Sequence, residues 1–246
     1  MAKPVQTAAP LIPPQPTLET LREAAAACRA CPLWKRGTQT VFGEGRAGAR
    51  VLFVGEQPGN AEDLAGRPFV GPAGGLLARA LDEAGISRAD AYVTNAVKHF
   101  KWEPAGKRRI HKKPNALEIA ACKPWLEAEI SVVEPEFIVC LGATAARTLL
   151  GRAFRVSVDR GRILHDGALR PKIMATVHPS SILRAPDDET RRAEFARFTD
   201  DLRVLARALR APRAAPAGPA SRQTRAASSR SSRSGRRRSS LPKAIP

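Results

Sequence analysis

The segment "AGKRRIHKKP", residues 105–114, sets one imidazole, His111, among five basic side chains: Lys107, Arg108, Arg109, Lys112 and Lys113. Lysine and arginine grip phosphate without an imidazole among them, so the histidine calls for chemistry of its own. The other residues of chemical type are four cysteines. Cys28 and Cys31 form a C-x2-C, while Cys122 and Cys140 are separated by 17 residues. In a reducing cytosol such a set reads as a metal site or a redox dithiol before it reads as two disulfides. Four thiolates suit tetrahedral zinc or a [4Fe-4S] cluster equally, because both take soft anionic ligands. The irregular second pair leans toward the cluster. The bland alternative is two buried structural cysteines and a chance C-x2-C.

These residues hang on an alternating pattern. Four apolar runs read as buried strands: "VLFVG" at 51–55, "AYVTNAV" at 91–97, "FIVCLG" at 137–142 and "KIMATVH" at 172–178. Between and after them "GGLLARALDEAG", "NALEIAACKPWLEAEISVV", "GATAARTLLG" and the stretch from "DDETRR" toward residue 210 carry apolar residues at helical spacing. Strand alternating with helix predicts an α/β fold, a three-layer αβα arrangement around a central four-stranded parallel sheet. In such sheets ligands sit beyond the carboxyl ends of the strands. The segments to watch are therefore "GEQPGNAED", "TNAVKHF" with "KRRIH" after it, "GATAA" and "HPSSILR".

With 246 residues the chain can bury one domain of about 200 residues and still carry tails. No apolar run approaches the roughly 20 residues of a membrane span, and the N-terminus lacks an apolar signal core, so the reading is cytoplasmic with no membrane partner. Net charge is +18, which favours a polyanionic partner. Residues 211–246 hold nine Lys or Arg and no acid, leaving 32 basic against 23 acidic residues elsewhere, so half the charge is in the tail. Rich in Ala, Pro, Ser and Arg, residues 211–246 read as a disordered basic tail, either a solvated appendage or a nonspecific DNA tether. Residues 1–16, rich in Pro, read as equally unfolded, which leaves 17–210 as the folded domain.

On Cys28-x2-Cys31 with Cys122 and Cys140, "GEQPGNAEDLAGRPFVGPAG", "YVTNAVKHFKW", "KRRIH" and "HPSSILR", the chain resembles the iron-sulfur uracil-DNA glycosylases of family 4, most closely their UdgX branch, over about residues 20–207. The resemblance implies that Cys28, Cys31, Cys122 and Cys140 hold a [4Fe-4S] cluster. It implies a substrate, uracil-containing DNA with single strands included, whose target base is flipped into a pocket of a monomeric enzyme. Phe69 would stack on that base, with core packing as the plain alternative. Asn95 would read it, because an amide can donate to O4 and accept from N3-H, the reverse of what cytosine presents. His178 would donate to O2 of the departing uracil. Ser180, Ser181 and Arg184 would hold phosphate, and Glu56 and Gln57 would form the pocket wall.

Most family 4 members carry a small residue where Gln57 stands and lack the "KRRIH" insertion. Both departures match the UdgX branch. Breaking the glycosidic bond leaves positive charge at the sugar C1′, which a nearby nucleophile can capture in place of water. The resemblance gives that part to His111, with Glu56 accepting its other N–H, and the product is DNA covalently joined to protein. Lys107, Arg108, Lys112 and Lys113 would neutralise flanking phosphates, and Arg109 would hold the loop closed. The bland reading is a DNA-contact loop with an incidental histidine, and a turnover glycosylase is the near alternative. A non-enzymatic DNA-binding protein is the distant one. His99, within reach of DNA, and His165, on a surface hairpin, receive no role.

Overall fold

The computed structural model describes residues 6–151, 153–164 and 171–210. Its strands are β1 (Val51–Gly55), β2 (Ala91–Asn95), β3 (Trp102–Ala105), β4 (Arg108–His111), β5 (Phe137–Leu141), β6 (Ile163–Leu164) and β7 (Lys172–Thr176). Its helices are α1 (Leu18–Ala26), α2 (Asn60–Ala65), α3 (Pro72–Ala84), α4 (Ala116–Val133), α5 (Ala143–Leu150), α6 (Val156–Asp159), α7 (Pro179–Leu183) and α8 (Asp188–Leu209).

Successive strand residues point to opposite faces, and that alternation divides the interior in two. Val51, Phe53, Val93, Val139 and Met174 pack with Leu77 and Leu81 of α3 and Phe198 and Leu202 of α8. Their neighbours Leu52, Val54, Tyr92, Ile138 and Ala175 pack on the other side with Leu126 and Val133 of α4 and Ala145 and Ala146 of α5. Because both faces are covered, the strands read as continuous apolar runs, and the three αβα layers follow. Helix starts are capped in sequence: Asn115 accepts from Glu118 N–H at α4, and Asp187 accepts from Thr190 N–H at α8.

The sheet order is β2-β1-β5-β7-β6. The expected four strands are there and parallel. A fifth, β6, corrects the count. It runs antiparallel along β7, pairing Ile163 with Met174 and Leu164 with Ile173, and two residues are too short to show a period in sequence. After β2 the chain crosses back over β1 to β5, so the order reverses between β1 and β5. The crevice beyond their carboxyl ends is where such sheets bind ligands.

The basic "loop" is also corrected. It is the antiparallel hairpin of β3 and β4, in which Trp102 pairs with His111 and Ala105 with Arg108. Gly106, at φ +58°, takes the first position of its two-residue turn, where a side chain would be strained.

Residues 6–16 differ from the unfolded expectation. Ala8 is fully buried and donates its N–H to Ala121 O at 2.9 Å, in a third apolar cluster with Leu21, Cys28 and Trp125. A small apolar residue packed on α4 outweighs the prolines around it. Residues 1–5, the basic tail 211–246 and His165 lie outside the described residues. Among the described residues no helix is long and apolar enough to cross a membrane.

Candidate active site

At the switch between β1 and β5 opens a cavity of about 530 Å³. The side chains expected to be catalytic line it, Glu56 beyond β1, His111 at the end of β4 and His178 beyond β7, together with the expected base reader Asn95 at the end of β2. Phe69, Ser180, Arg184 and Lys113 border it as well.

Asn95 is 3 % exposed, and its amide has no hydrogen-bond partner among the described residues. Lining the cavity, that amide is placed to meet a ligand. Gly55 makes room for it, because a Cβ there would stand 2.3 Å from Asn95 Oδ1 and 2.9 Å from Phe69 Cζ. Phe69 has φ +55°, a strained conformation for an aromatic residue. Glu62 holds the turns on both sides of it, accepting from Gly59 N–H at 3.1 Å and Gly71 N–H at 2.8 Å. The Phe69 ring lies stacked toward His178, centroids 6.3 Å apart.

His178 caps α7. Its Nδ1 accepts the Ser180 N–H at 3.1 Å, with Ser180 Oγ 2.8 Å away. With Nδ1 an acceptor, the neutral ring carries its proton on Nε2. Burial, assisted by the charges of Arg184 and His111, lowers the pKa to about 4, so the ring is neutral across the physiological range. Of the serines expected to bind phosphate, Ser180 lines the cavity, and Ser181 Oγ donates to His178 O at 2.7 Å.

Glu56 stands between two partners. Thr144 Oγ1 donates to Oε2, and Oε1 lies 3.7 Å from His111 Nε2. The second distance exceeds hydrogen-bond range and is a charge pairing only when the ring is cationic. The sequence reading passed over Thr144, although it lies in the post-strand segment "GATAA". His111 remains half exposed at the rim. Its pKa is lowered by burial; Glu56 opposes that shift and Arg184 adds to it.

Gln57 and Arg109 help to fix the hairpin that carries His111. Gln57, expected in the pocket wall, lines the cavity but spends its amide on the hairpin's base. Nε2 donates to Lys101 O and Lys112 O, both at 3.2 Å, and Oε1 accepts from Lys101 N–H at 3.2 Å. Arg109 reaches across to Asn60 Oδ1 and Asp63 Oδ2, each at 2.6 Å, with its guanidinium over the rings of Phe100 and Trp102. These contacts tie β4 to α2. Lys107 and Arg108 are exposed at the turn.

The cysteines do not come together as four. Each of three sulfurs receives an N–H: Cys28 from Trp125 Nε1 at 3.4 Å, Cys122 from Lys98 N at 3.2 Å, and Cys31 from the Leu33 backbone. Burial raises the Cys122 thiol to about 12, and Cys31 and Cys28 add to the shift. Cys140 stands apart. It is fully buried in the sheet with Leu52, Val54 and Ala175, and burial alone pushes its thiol to about 12. Among the described residues no group of three or more His, Cys, Asp or Glu side chains stands at metal-holding geometry. Cys28, Cys31 and Cys122 share one apolar cluster and Cys140 lies in another, so the set of four does not fit a single cluster site. Cys28, Cys31 and Cys122, with their N–H donors, are the part with ligand chemistry. His99 is buried, with Nε2 3.1 Å from Thr40 Oγ1.

The family described as the Uracil DNA glycosylase superfamily matches residues 42–203. A type-4 uracil-DNA glycosylase of Thermotoga maritima is 42 % identical over 176 residues, 71 % of this chain and 88 % of that one. A type-4 uracil-DNA glycosylase of Pyrobaculum aerophilum is 37 % identical over 175 residues, covering 69 % and 86 % of the two chains. One from Sulfurisphaera tokodaii is 39 % identical over 178 residues, covering 70 % and 78 %.

Proposed function

The chain belongs to the uracil DNA glycosylase superfamily, and from that premise we propose that it excises uracil from DNA and is then captured on the sugar through His111, as the UdgX branch it resembles would be. The observation that carries this reading is the position of His111, which shares one cavity with Glu56, Asn95 and His178 and stands 3.7 Å from the Glu56 carboxylate.

Flipped uracil enters the cavity, its face toward Phe69 and its O4 and N3-H toward the Asn95 amide. Flipping is least costly from a single strand, which makes single-stranded DNA a substrate. As the bond from C1′ to N1 breaks, its electron pair leaves with the base. Nε2–H of His178 donates to O2, where the negative charge gathers, as a neutral oxyanion donor. Positive charge develops at C1′, and a ring nitrogen of neutral His111 closes on it. The products are a uracil anion and an alkylated imidazolium, and that cation rests beside Glu56. No proton is gained or lost in the exchange. The exposed Lys107 and Arg108 take phosphates beside the lesion.

Purified protein mixed with a uracil-containing oligonucleotide should give a slow-migrating band that survives boiling in detergent. Uracil release with no such band makes the protein a turnover glycosylase, and neither outcome leaves a DNA-binding protein.

We assign a [4Fe-4S] cluster to Cys28, Cys31 and Cys122, with the fourth position outside Cys140. Buried His99 is of ligating type and follows the Lys98 N–H that bonds Cys122. The cluster would order the segment around α1 and α4, and no chemical step passes through it. Protein with Cys140→Ser should keep its iron and sulfide, its visible absorption and its colour, while Cys122→Ser should lose all of them. Stoichiometric zinc, or loss of colour in Cys140→Ser, would overturn the assignment.

A further inference from the structure

Behind Asn95 lies a buried ion pair that no step above uses. Lys98 is 1 % exposed and Glu129 0 %. Two charges out of water are costly unless every donor and acceptor is answered. Here they are. Lys98 Nζ donates to Glu129 Oε2 at 2.5 Å, to Thr94 Oγ1 at 2.7 Å and to the Asn95 carbonyl at 2.7 Å, which uses all three ammonium protons. Glu129 also accepts from Gly43 N–H and Tyr92 OH, each at 3.0 Å, and from Thr94 Oγ1.

The bonds of this segment converge on Asn95. Beyond β2, Ala96 N–H donates to Gly55 O at 2.9 Å and Val97 N–H to Glu56 O at 3.1 Å, so the chain stays in register with β1. Lys98 then turns inward. Its carbonyl takes the Val41 N–H at 2.8 Å, and its ammonium closes back on the carbonyl of Asn95. The Asn95 backbone is thus tied to β1 on one side and to a fixed charge beneath, while its amide is left unpartnered at the cavity. A buried pair often adds little to stability over an apolar pair of the same shape, so stability alone does not account for it.

We propose that Lys98, held by Glu129, is a positioning residue for base recognition: its ammonium clamps the Asn95 carbonyl so that the side-chain amide meets uracil already oriented. The inference rests on Asn95 as the reader of the base. A reader displaced by an ångström loses much of its effect, on the order of 100-fold in rate.

The test is the double variant Lys98→Met/Glu129→Gln, which removes both charges and leaves an amide for Tyr92, Thr94 and Gly43. Single-turnover excision should fall about 100-fold, and inhibition by free uracil should weaken alongside, with affinity for undamaged DNA unchanged. Leu202→Ala, a core truncation in α8, supplies a control of lowered melting temperature and should keep inhibition by uracil. If the double variant retains rate and uracil inhibition, or if Leu202→Ala loses them equally, the pair serves stability only and the proposal is wrong. Should the double variant fail to fold, Lys98→Arg keeps the charge but cannot place three bonds from one nitrogen, and the same readouts decide. Asn95→Ala separates the two levels: if that variant keeps its inhibition by uracil, the base-reading assignment has failed, whatever Lys98 does.

Discussion

Replacing His111 with serine should abolish the heat-stable adduct while uracil is still released and the DNA leaves with an abasic site. In the proposed reaction the imidazole acts after, or as, the bond to the base breaks, and the groups assigned to the leaving uracil are elsewhere, Asn95 at the end of β2 and His178 at the cap of α7. None of the hydrogen bonds that fix the hairpin uses the imidazole, whose own contacts are the Phe100 ring and Glu56: Gln57 holds the hairpin's base and Arg109 its side. The substitution therefore clears space at C1′ without unlatching β3 and β4, and water enters. In the wild type a nucleophile held in place competes at effective molarities on the order of 10⁵ M or more, so capture should dominate over hydrolysis. Glu56→Gln should slow adduct formation about 10²- to 10³-fold, because the carboxylate facing both imidazolium and sugar cation is lost. In the proposed reaction neutral His111 is the nucleophile, and burial lowers its pKa. Adduct formation should thus be flat above pH 6.5 and fall only as pH drops through the lowered folded value. Peptide mass spectrometry of nuclease-trimmed adduct should find deoxyribose on the peptide containing Ile110 and His111. Mass on another residue, or an adduct that persists in His111→Ser, would leave the hairpin a phosphate grip.

The fold was legible where burial on both faces makes a strand apolar throughout. The runs at 51–55 and 137–142 became β1 and β5 nearly residue for residue, and the helical spacing at 74–85 became most of α3. β6 was not legible, because two residues carry no period, and the hairpin was hidden because its strands are exposed and charged. At "KRRIH" the sequence reads as a loop holding phosphate. What makes it a hairpin is the pairing partner "WEPA" and the glycine between, and neither carries an apolar alternation.

At the site, residues that end strands were found because chemistry in this architecture gathers there. Partners that act through hydrogen bonds were not. Thr144 was passed over because a threonine opening a helix is ordinary in sequence. Gln57 and Ser180 line the cavity as the sequence suggests, but nothing in the sequence marks their hydrogen bonds to the hairpin backbone and to His178. Cys140 was grouped with the other cysteines by residue type. Position in β5 separates it, since a side chain in mid-sheet points into one face and Cys140 shares that face with Leu52 and Ala175. A sequence gives the types of side chain, and the face each one takes depends on the pairing of the sheet.

Removing the imidazole of His178 should depress bond cleavage itself, in contrast to His111. Its Nδ1 is committed to Ser180 N–H, so Nε2 carries the proton that can reach O2 of the departing base. Loss of one such preorganised donor costs about 10²- to 10³-fold in the rate of the step it serves, and His178→Ala should show that loss in single-turnover uracil release. Adduct formation should fall by the same factor, because capture waits on cleavage. The pH profile gives an independent check. With its pKa lowered to about 4 by burial and by the charges of Arg184 and His111, His178 should contribute no inflection to uracil release between pH 5 and 8. The same shift bears on stability with a definite sign. The unfolded chain protonates this histidine near pH 6.5 and the folded chain only near 4, so the unfolded state binds more protons in between. The contribution to stability is present above pH 6.5 and is lost progressively as pH falls toward 4. In His178→Ala the melting temperature should therefore decline less steeply from pH 6.5 to 4.5 than in the wild type. A variant that keeps its cleavage rate, or a wild-type rate that titrates near pH 6.5 through this residue, would remove His178 from the leaving base and return it to its place as the cap of α7.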